Sequence, residues 1–301
     1  MNSGIINVYK EAGYTSFDVV ARLRGILKVK KIGHTGTLDP DAEGVLPVCI
    51  GKATKVCDML TDKDKVYRCR MLLGKRSDTY DSSGKIIDTQ PVNCTNEQCI
   101  DVIGHYLGDI MQVPPMYSAL KINGKKLYEL AREGKVVERK ARPVTIFAIN
   151  IIELALPEIE FEVHCSKGTY IRSLCNDIGD ELGCGAIMTS LLRTKVSIFD
   201  ISDARKLDEI EKIFKHGNIS QIMLPIDQVF NDYKTVFVVP TEESLKKALN
   251  GARLSAVDVY SESISSFEDG CKYRIYLPDE RFIGVYIYND SEFTLEKMFL
   301  E

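Results

Sequence analysis

The sequence predicts an α+β protein: a large mixed, mainly antiparallel sheet with flanking helices, followed by a small β-rich domain. Three observations carry this reading. Helical and strand patterns alternate along the first 230 residues, with no internal repeat and no low-complexity segment. Residues 159–165 alternate strictly, with Ile159, Phe161, Val163 and Cys165 on one face and Glu160, Glu162 and His164 on the other; that is the pattern of a half-buried antiparallel strand. Beyond residues 230–240, a helical stretch at 241–250 closes at Asn250-Gly251, and two apolar runs at 272–288 are split by Asp279-Glu280.

In chain order, GIINVY at 4–9 reads as a short strand. Ser16 is expected to cap a helix with Phe17, Val20, Leu23 and Leu27 on one face. A loop rich in Gly, Asp and Pro fills 33–44, and VLPVCIG after it reads as a strand. Residues 66–73 and 144–154 have strand composition, and Ile171, Leu174, Ile178 and Leu182 fall at helical spacing. The expected domains are 1–232 and 236–301; the second, about 65 residues, is near the size below which a domain rarely folds alone.

Composition narrows the function classes. No apolar run reaches the roughly 18 residues of a membrane span. The N-terminal MNSGIINVYKEAG lacks a basic leader and an apolar core, so a cytoplasmic protein is expected. Nine cysteines, an odd number with no CxxC pair, fit reduced thiols better than disulfides or a zinc site. Net charge is −4, but it is unevenly spread. Residues 121–142 hold eight Lys/Arg against three Glu, whereas 236–301 hold seven Lys/Arg against twelve Asp/Glu. The first run can meet several phosphates, or it is a solvated helix face.

The loop Gly33–Gly44, GHTGTLDPDAEG, is the most informative stretch. Its glycines permit tight backbone, and Pro40 biases Asp39 toward an extended conformation. Read alone, it is equally a structured turn or a site presenting one carboxylate. Asp41 and Glu43 lie close by, which admits a metal-dependent hydrolase, although the calcium-loop pattern is not met.

GHTGTLDPDAEGVL at 33–46 resembles the catalytic loop of the TruB family of pseudouridine synthases, approximately GHxGxLDPxAxGxL. The likeness continues in order through VYRCRMLLGKRSDTYDSSG at 66–84, PPMYSALKINGKKLYELAREG at 114–134, SKGTYIRSLCNDIGDELGCGA at 166–186 and LLR at 191–193. It spans most of residues 1–230; the last 65 or so resemble a PUA-type RNA-binding appendage in position and size.

The resemblance implies the pseudouridine synthase fold and a defined reaction. A uridine in the tRNA T-loop, at tRNA position 55, is detached from its ribose, rotated and rejoined through C5. No cofactor and no metal are implied, and the partner is the T-stem-loop of tRNA, bound by a monomer. Asp39 matches the catalytic aspartate, acting as nucleophile or as base on a glycal route. Arg172 matches the arginine that pairs with it, expected to hold it ionised by lowering its pKa. Tyr67 and Tyr170 match active-site tyrosines, Tyr67 being the better candidate to stack on a flipped-out uracil. His34 matches a histidine that occupies the T-loop as bases are extruded, and Leu191 a leucine lining the uracil pocket. Lys10 matches a lysine usually followed by proline; here Glu11 follows, which alters the expected local loop shape. An RNA-binding protein that remodels tRNA without turnover is the competing reading.

Overall fold

The computed structural model describes residues 3–300 except 123 and 265. Its centre is a ten-stranded sheet whose main path runs Met223–Leu224, Gly4–Lys10, Glu43–Ile50, Ala186–Val196, Lys65–Leu73, Glu158–Cys165, Arg142–Ala155, Gly108–Gln112. Ile32–His34 and Phe199–Asp200 pair beside Glu43–Ile50 and Ala186–Val196. Every pairing is antiparallel except that of Glu43–Ile50 with Ala186–Val196, so the sheet is mixed and mainly antiparallel as the sequence predicts. At this junction Gly44 (φ +105°) faces Arg193 so closely that a β-carbon would come 2.2 Å from the Arg193 carbonyl oxygen. Only glycine fits there.

The alternating strand behaves as read. Ile159, Phe161, Val163 and Cys165 are fully buried. Leu174, Cys175 and Ile178 of the helix Ile171–Glu181 join the same cluster, as do Tyr67, Cys69 and Met71. That helix therefore lies on the sheet face that carries Tyr67.

The first helix, Ser16–Leu27, departs from the reading in two ways. Its cap is Thr15, not Ser16. Asp18 stands three residues after Thr15, so the two close a reciprocal capping box that Ser16, with Val19 at that spacing, could not form. The Ser16 hydroxyl instead turns inward and accepts the Leu38 amide at 2.9 Å. The apolar stripe is correspondingly centred on Val19, Val20, Leu23 and Leu27, and Phe17 is 65% exposed.

Residues 234–298 form a separate six-stranded sheet, with a helix at Glu242–Leu249 capped by Thr241 and its own core of Val236, Val238, Tyr273, Ile275, Tyr286 and Phe293. This is the small β-rich C-terminal domain, with a form consistent with the PUA-like appendage expected. It is docked rather than tethered: Val285 and Phe299 pack with Ile5, Val45, Cys49 and Phe230 of the larger body. Lys52 and Lys55 donate to the Leu300 and Met298 carbonyls at 2.5 and 2.7 Å. All nine cysteines are free thiols.

Candidate active site

The loop between Ile32–His34 and Glu43–Ile50 is held from outside itself. Lys10, fully buried, donates its ammonium to the Pro40 and Ala42 carbonyls at 2.9 and 2.5 Å. Ser16 takes the Leu38 amide. Arg193, also buried, donates Nε to the Val45 carbonyl at 2.7 Å and Nη2 to the Gly36 carbonyl at 3.2 Å. Buried backbone groups need partners, and here side chains supply them where no sheet ladder can. The loop is fixed on both flanks, and the Asp39 side chain remains 40% exposed at its tip.

The resemblance puts Lys10 among the RNA-contacting residues; the structure places it beneath the loop, out of solvent. Burial lowers its pKa to about 8. Lys10→Met is expected to cost about 1–3 kcal/mol of unfolding free energy at neutral pH, because it leaves buried carbonyls unpaired. Urea denaturation with an unchanged m-value would check it.

Arg172, 5% exposed at the start of its helix, grips Asp39 with two prongs: Nε to Oδ2 at 3.0 Å and Nη2 to Oδ1 at 3.2 Å. The same guanidinium donates to the Thr79 and Tyr117 carbonyls at 3.1 and 2.9 Å and lies 3.5 Å from Asp81. The fork geometry is the one that arginine offers a carboxylate. The expectation that Arg172 lowers the Asp39 pKa is correct for that contact but not for the net result. Although part of the Asp39 side chain meets solvent at the loop tip, the carboxyl is closely surrounded by protein; that burial raises it above its ordinary value, Asp81 adds to the rise, and the lowering by Arg172 and Lys10 does not overcome it. A raised carboxyl is a stronger base once ionised.

Tyr67 and Tyr170 lie near enough to Asp39 to feel its charge. Tyr67, Leu191 and Leu38 belong to one apolar cluster with the Arg172 helix. Leu191 stands opposite Cys69, and Tyr67 opposite Arg193, across the pairing of their strands. Burial raises the pKa of both Tyr67 and Tyr170, so both phenols stay protonated at neutral pH. His34 is half-buried, and its Nδ1 accepts the Gly36 amide at 3.3 Å. Burial, and Arg193 nearby, lower its pKa and keep it neutral, which suits a space-filling role.

Three residues were not singled out from sequence. Asp81, in the turn after the short strand Lys75–Ser77, is the second carboxylate on Arg172; Tyr80 at φ 66° and the Met188 backbone bonds hold that turn inward. Arg193 is the loop anchor. Gln112 is almost fully buried and pairs with the Tyr170 backbone in both directions, accepting from its N–H at 2.7 Å and donating to its carbonyl at 3.0 Å. Ser173 donates to the Val113 carbonyl at 2.9 Å. Together these bonds tie the root of the basic segment 121–142 to the start of the Arg172 helix. Only the isolated polar residue in MQVPP could have signalled Gln112. Gln112→Ala is expected to remove about 1–3 kcal/mol of stability and to lower kcat more than it raises KM. Steady-state kinetics beside thermal unfolding would check both.

Among the described residues, no group of three His, Cys, Asp or Glu side chains converges to hold a metal. Within the acidic loop, Asp39 is engaged by Arg172 and Glu43 by the Tyr9 hydroxyl at 3.3 Å.

Residues 24–171 match the TruB family pseudouridylate synthase N-terminal domain, and 172–231 match the tRNA pseudouridylate synthase B C-terminal domain. The tRNA pseudouridine synthase B of Lachnoclostridium phytofermentans is 49% identical over 308 residues, covering 99% of this chain and 100% of that protein. That of Clostridium novyi is 46% identical over 298 residues, covering 99% and 100%. A solved Cbf5-Nop10-Gar1 complex contains a chain with the same fold, at TM-score 0.74 and 25% identity, covering 99% of this chain and 85% of that one. The likeness extends over the whole chain, so this protein belongs to the TruB family of pseudouridylate synthases.

Proposed function

We propose that this protein converts uridine to pseudouridine in tRNA, at the T-loop uridine numbered 55, with Asp39 as the reacting carboxylate. The observation that supports this most directly is the Asp39–Arg172 fork: a single carboxylate, oriented by a buried guanidinium, at the edge of an apolar cluster that includes Tyr67 and Leu191. The N1–C1′ bond breaks, a C5–C1′ bond forms, C5 loses its proton and N1 gains one. The product has the atoms of the substrate, so no oxidant, reductant or group donor enters. Asp39 acts either by attack at C1′ or by removing the C2′ proton.

The target must leave its stack to reach a carboxylate set in such a cluster. Tyr67 offers the replacement stack, worth roughly 1–3 kcal/mol, and Leu191 the apolar wall. His34 fills space in the opened loop, and Tyr170 lines the site beside Arg172. The exposed cations of segment 121–142 hold phosphates, adding affinity rather than base choice. We take the catalytic part to be residues 1–232 and the RNA-binding appendage to be 236–301. The enzyme works as a cytoplasmic monomer; no helix among the described residues is long and apolar enough to cross a membrane.

The test is incubation with an unmodified tRNA transcript in EDTA, with pseudouridine mapped by chemical labelling. Product at the T-loop uridine from wild type, and none from Asp39→Ala, supports the whole reading. Wild type that binds tRNA without product leaves only the RNA-binding reading. Pseudouridine that forms only when a divalent metal replaces EDTA overturns the metal-independent mechanism while leaving the isomerisation itself in place.

A further inference from the structure

Residues 19–38 carry five cations, Arg22, Arg24, Lys28, Lys30 and Lys31, and no carboxylate. The fold neutralises one of them. Arg22 pairs with Asp208 at 2.6 Å and reaches Glu211 at 4.0 Å. Arg24, Lys30 and Lys31 are exposed, and none of the salt bridges among the described residues includes them. These three line one open cleft of about 530 Å³ together with Phe17, His34 and Thr54. Phe17, on the same helix as Arg24, is 65% exposed there.

Each feature has an ordinary explanation alone; their coincidence does not. Cations without counter-ions on one concave surface favour a polyanion. An uncovered aromatic ring among them adds a flat face for a base. An acidic protein partner would account for the cations but not for the bare ring set in a cleft. Location adds a further point. His34 forms the wall of the cleft on one side and stands five residues before Asp39 in the same loop.

We propose that this cleft is a nucleotide subsite for the RNA strand adjoining the extruded uridine, with Phe17 stacking on a base and Lys30, Lys31 and Arg24 meeting its phosphates. The inference rests on the tRNA reading above and assigns RNA contact to a surface apart from segment 121–142. It gives the two kinds of contact separable signatures. Phosphate contacts change the salt dependence of binding, and stacking does not.

The experiment measures binding of an unmodified tRNA transcript at several KCl concentrations. Asp39→Asn protein is the parent, and the second variants are Lys30→Gln with Lys31→Gln, and Phe17→Ala. The double glutamine variant should weaken binding about tenfold at 0.15 M salt and reduce the slope of log K against log salt by about 1.4. Phe17→Ala should weaken binding about fivefold or more with the slope unchanged. All three side chains are exposed, so thermal midpoints should match the parent and exclude misfolding. A parent that binds tRNA, with both variants matching it in affinity and slope, overturns the subsite and leaves the tRNA reading intact. A parent and wild type that bind no tRNA overturn both. Wild type that binds but makes no pseudouridine overturns the catalytic reading alone, and the slopes still decide the subsite.

Discussion

Asp39→Asn is expected to lower turnover of an unmodified tRNA transcript by on the order of 10³-fold or more, with tRNA affinity changed little. Asparagine has nearly the shape of aspartate, and its carbonyl oxygen can still accept one prong of the Arg172 fork. It cannot attack C1′ or take a proton from C2′. Loss of chemistry with retained binding is therefore the signature of a reacting carboxylate rather than a structural one. Single-turnover assays with enzyme in excess separate the two. A variant retaining more than about a tenth of the wild-type rate would place the chemistry elsewhere. The same carboxyl is expected to set the acid side of the pH profile. Its pKa is raised, chiefly by burial, so the rate should rise as pH climbs through a value above that of an ordinary aspartate and then level. In Asp39→Asn, the residual rate should lose this limb.

Substitution of Arg172 should be nearly as damaging, through two separable effects. Arg172→Ala removes the one cation shared by Asp39, Asp81 and the Thr79 and Tyr117 carbonyls. Asp39 is partly exposed, but Asp81 is largely buried, and breaking its pair with the buried guanidinium costs about 3 kcal/mol, a large share of the roughly 5–15 kcal/mol that holds a domain folded. Arg172→Lys keeps the charge but not the fork, so it should fold and still turn over slowly. Loss of the guanidinium leaves burial and Asp81 less opposed, and the Asp39 pKa should rise further. The acid limb of Arg172→Lys should accordingly lie at higher pH than in wild type. A rate loss that is uniform across pH would show that Arg172 only shapes the site and does not tune the carboxylate.

Much of this was legible in one dimension because local chemistry decides it. Strict alternation at 159–165 can bury only one face, and the strand does so completely. The spacing of Ile171, Leu174 and Ile178 fixes a helix and which side of it meets the sheet. The loop motif carries its own punctuation, with Gly36 at φ +129° and Pro40 after Asp39. The helix cap falls one residue before Ser16 because two hydroxyls stand side by side, and only the partner three residues on distinguishes them.

What the sequence by itself determined was the class of fold and the family, and it singled out Asp39 and Arg172 as the pair to examine; these rest on patterns that a few neighbouring residues complete. What only the tertiary structure decided was how that carboxylate is held. Lys10 and Asp39 are 29 positions apart, and Asp39 and Arg172 are 133. No local pattern tells a buried lysine clamping a loop from an exposed one meeting phosphate, because the distinction lies in which distant backbone closes over it. The balance on the Asp39 carboxyl is likewise a property of packing: Arg172 lowers its pKa as the sequence implies, but desolvation by the surrounding fold outweighs that contact and raises it.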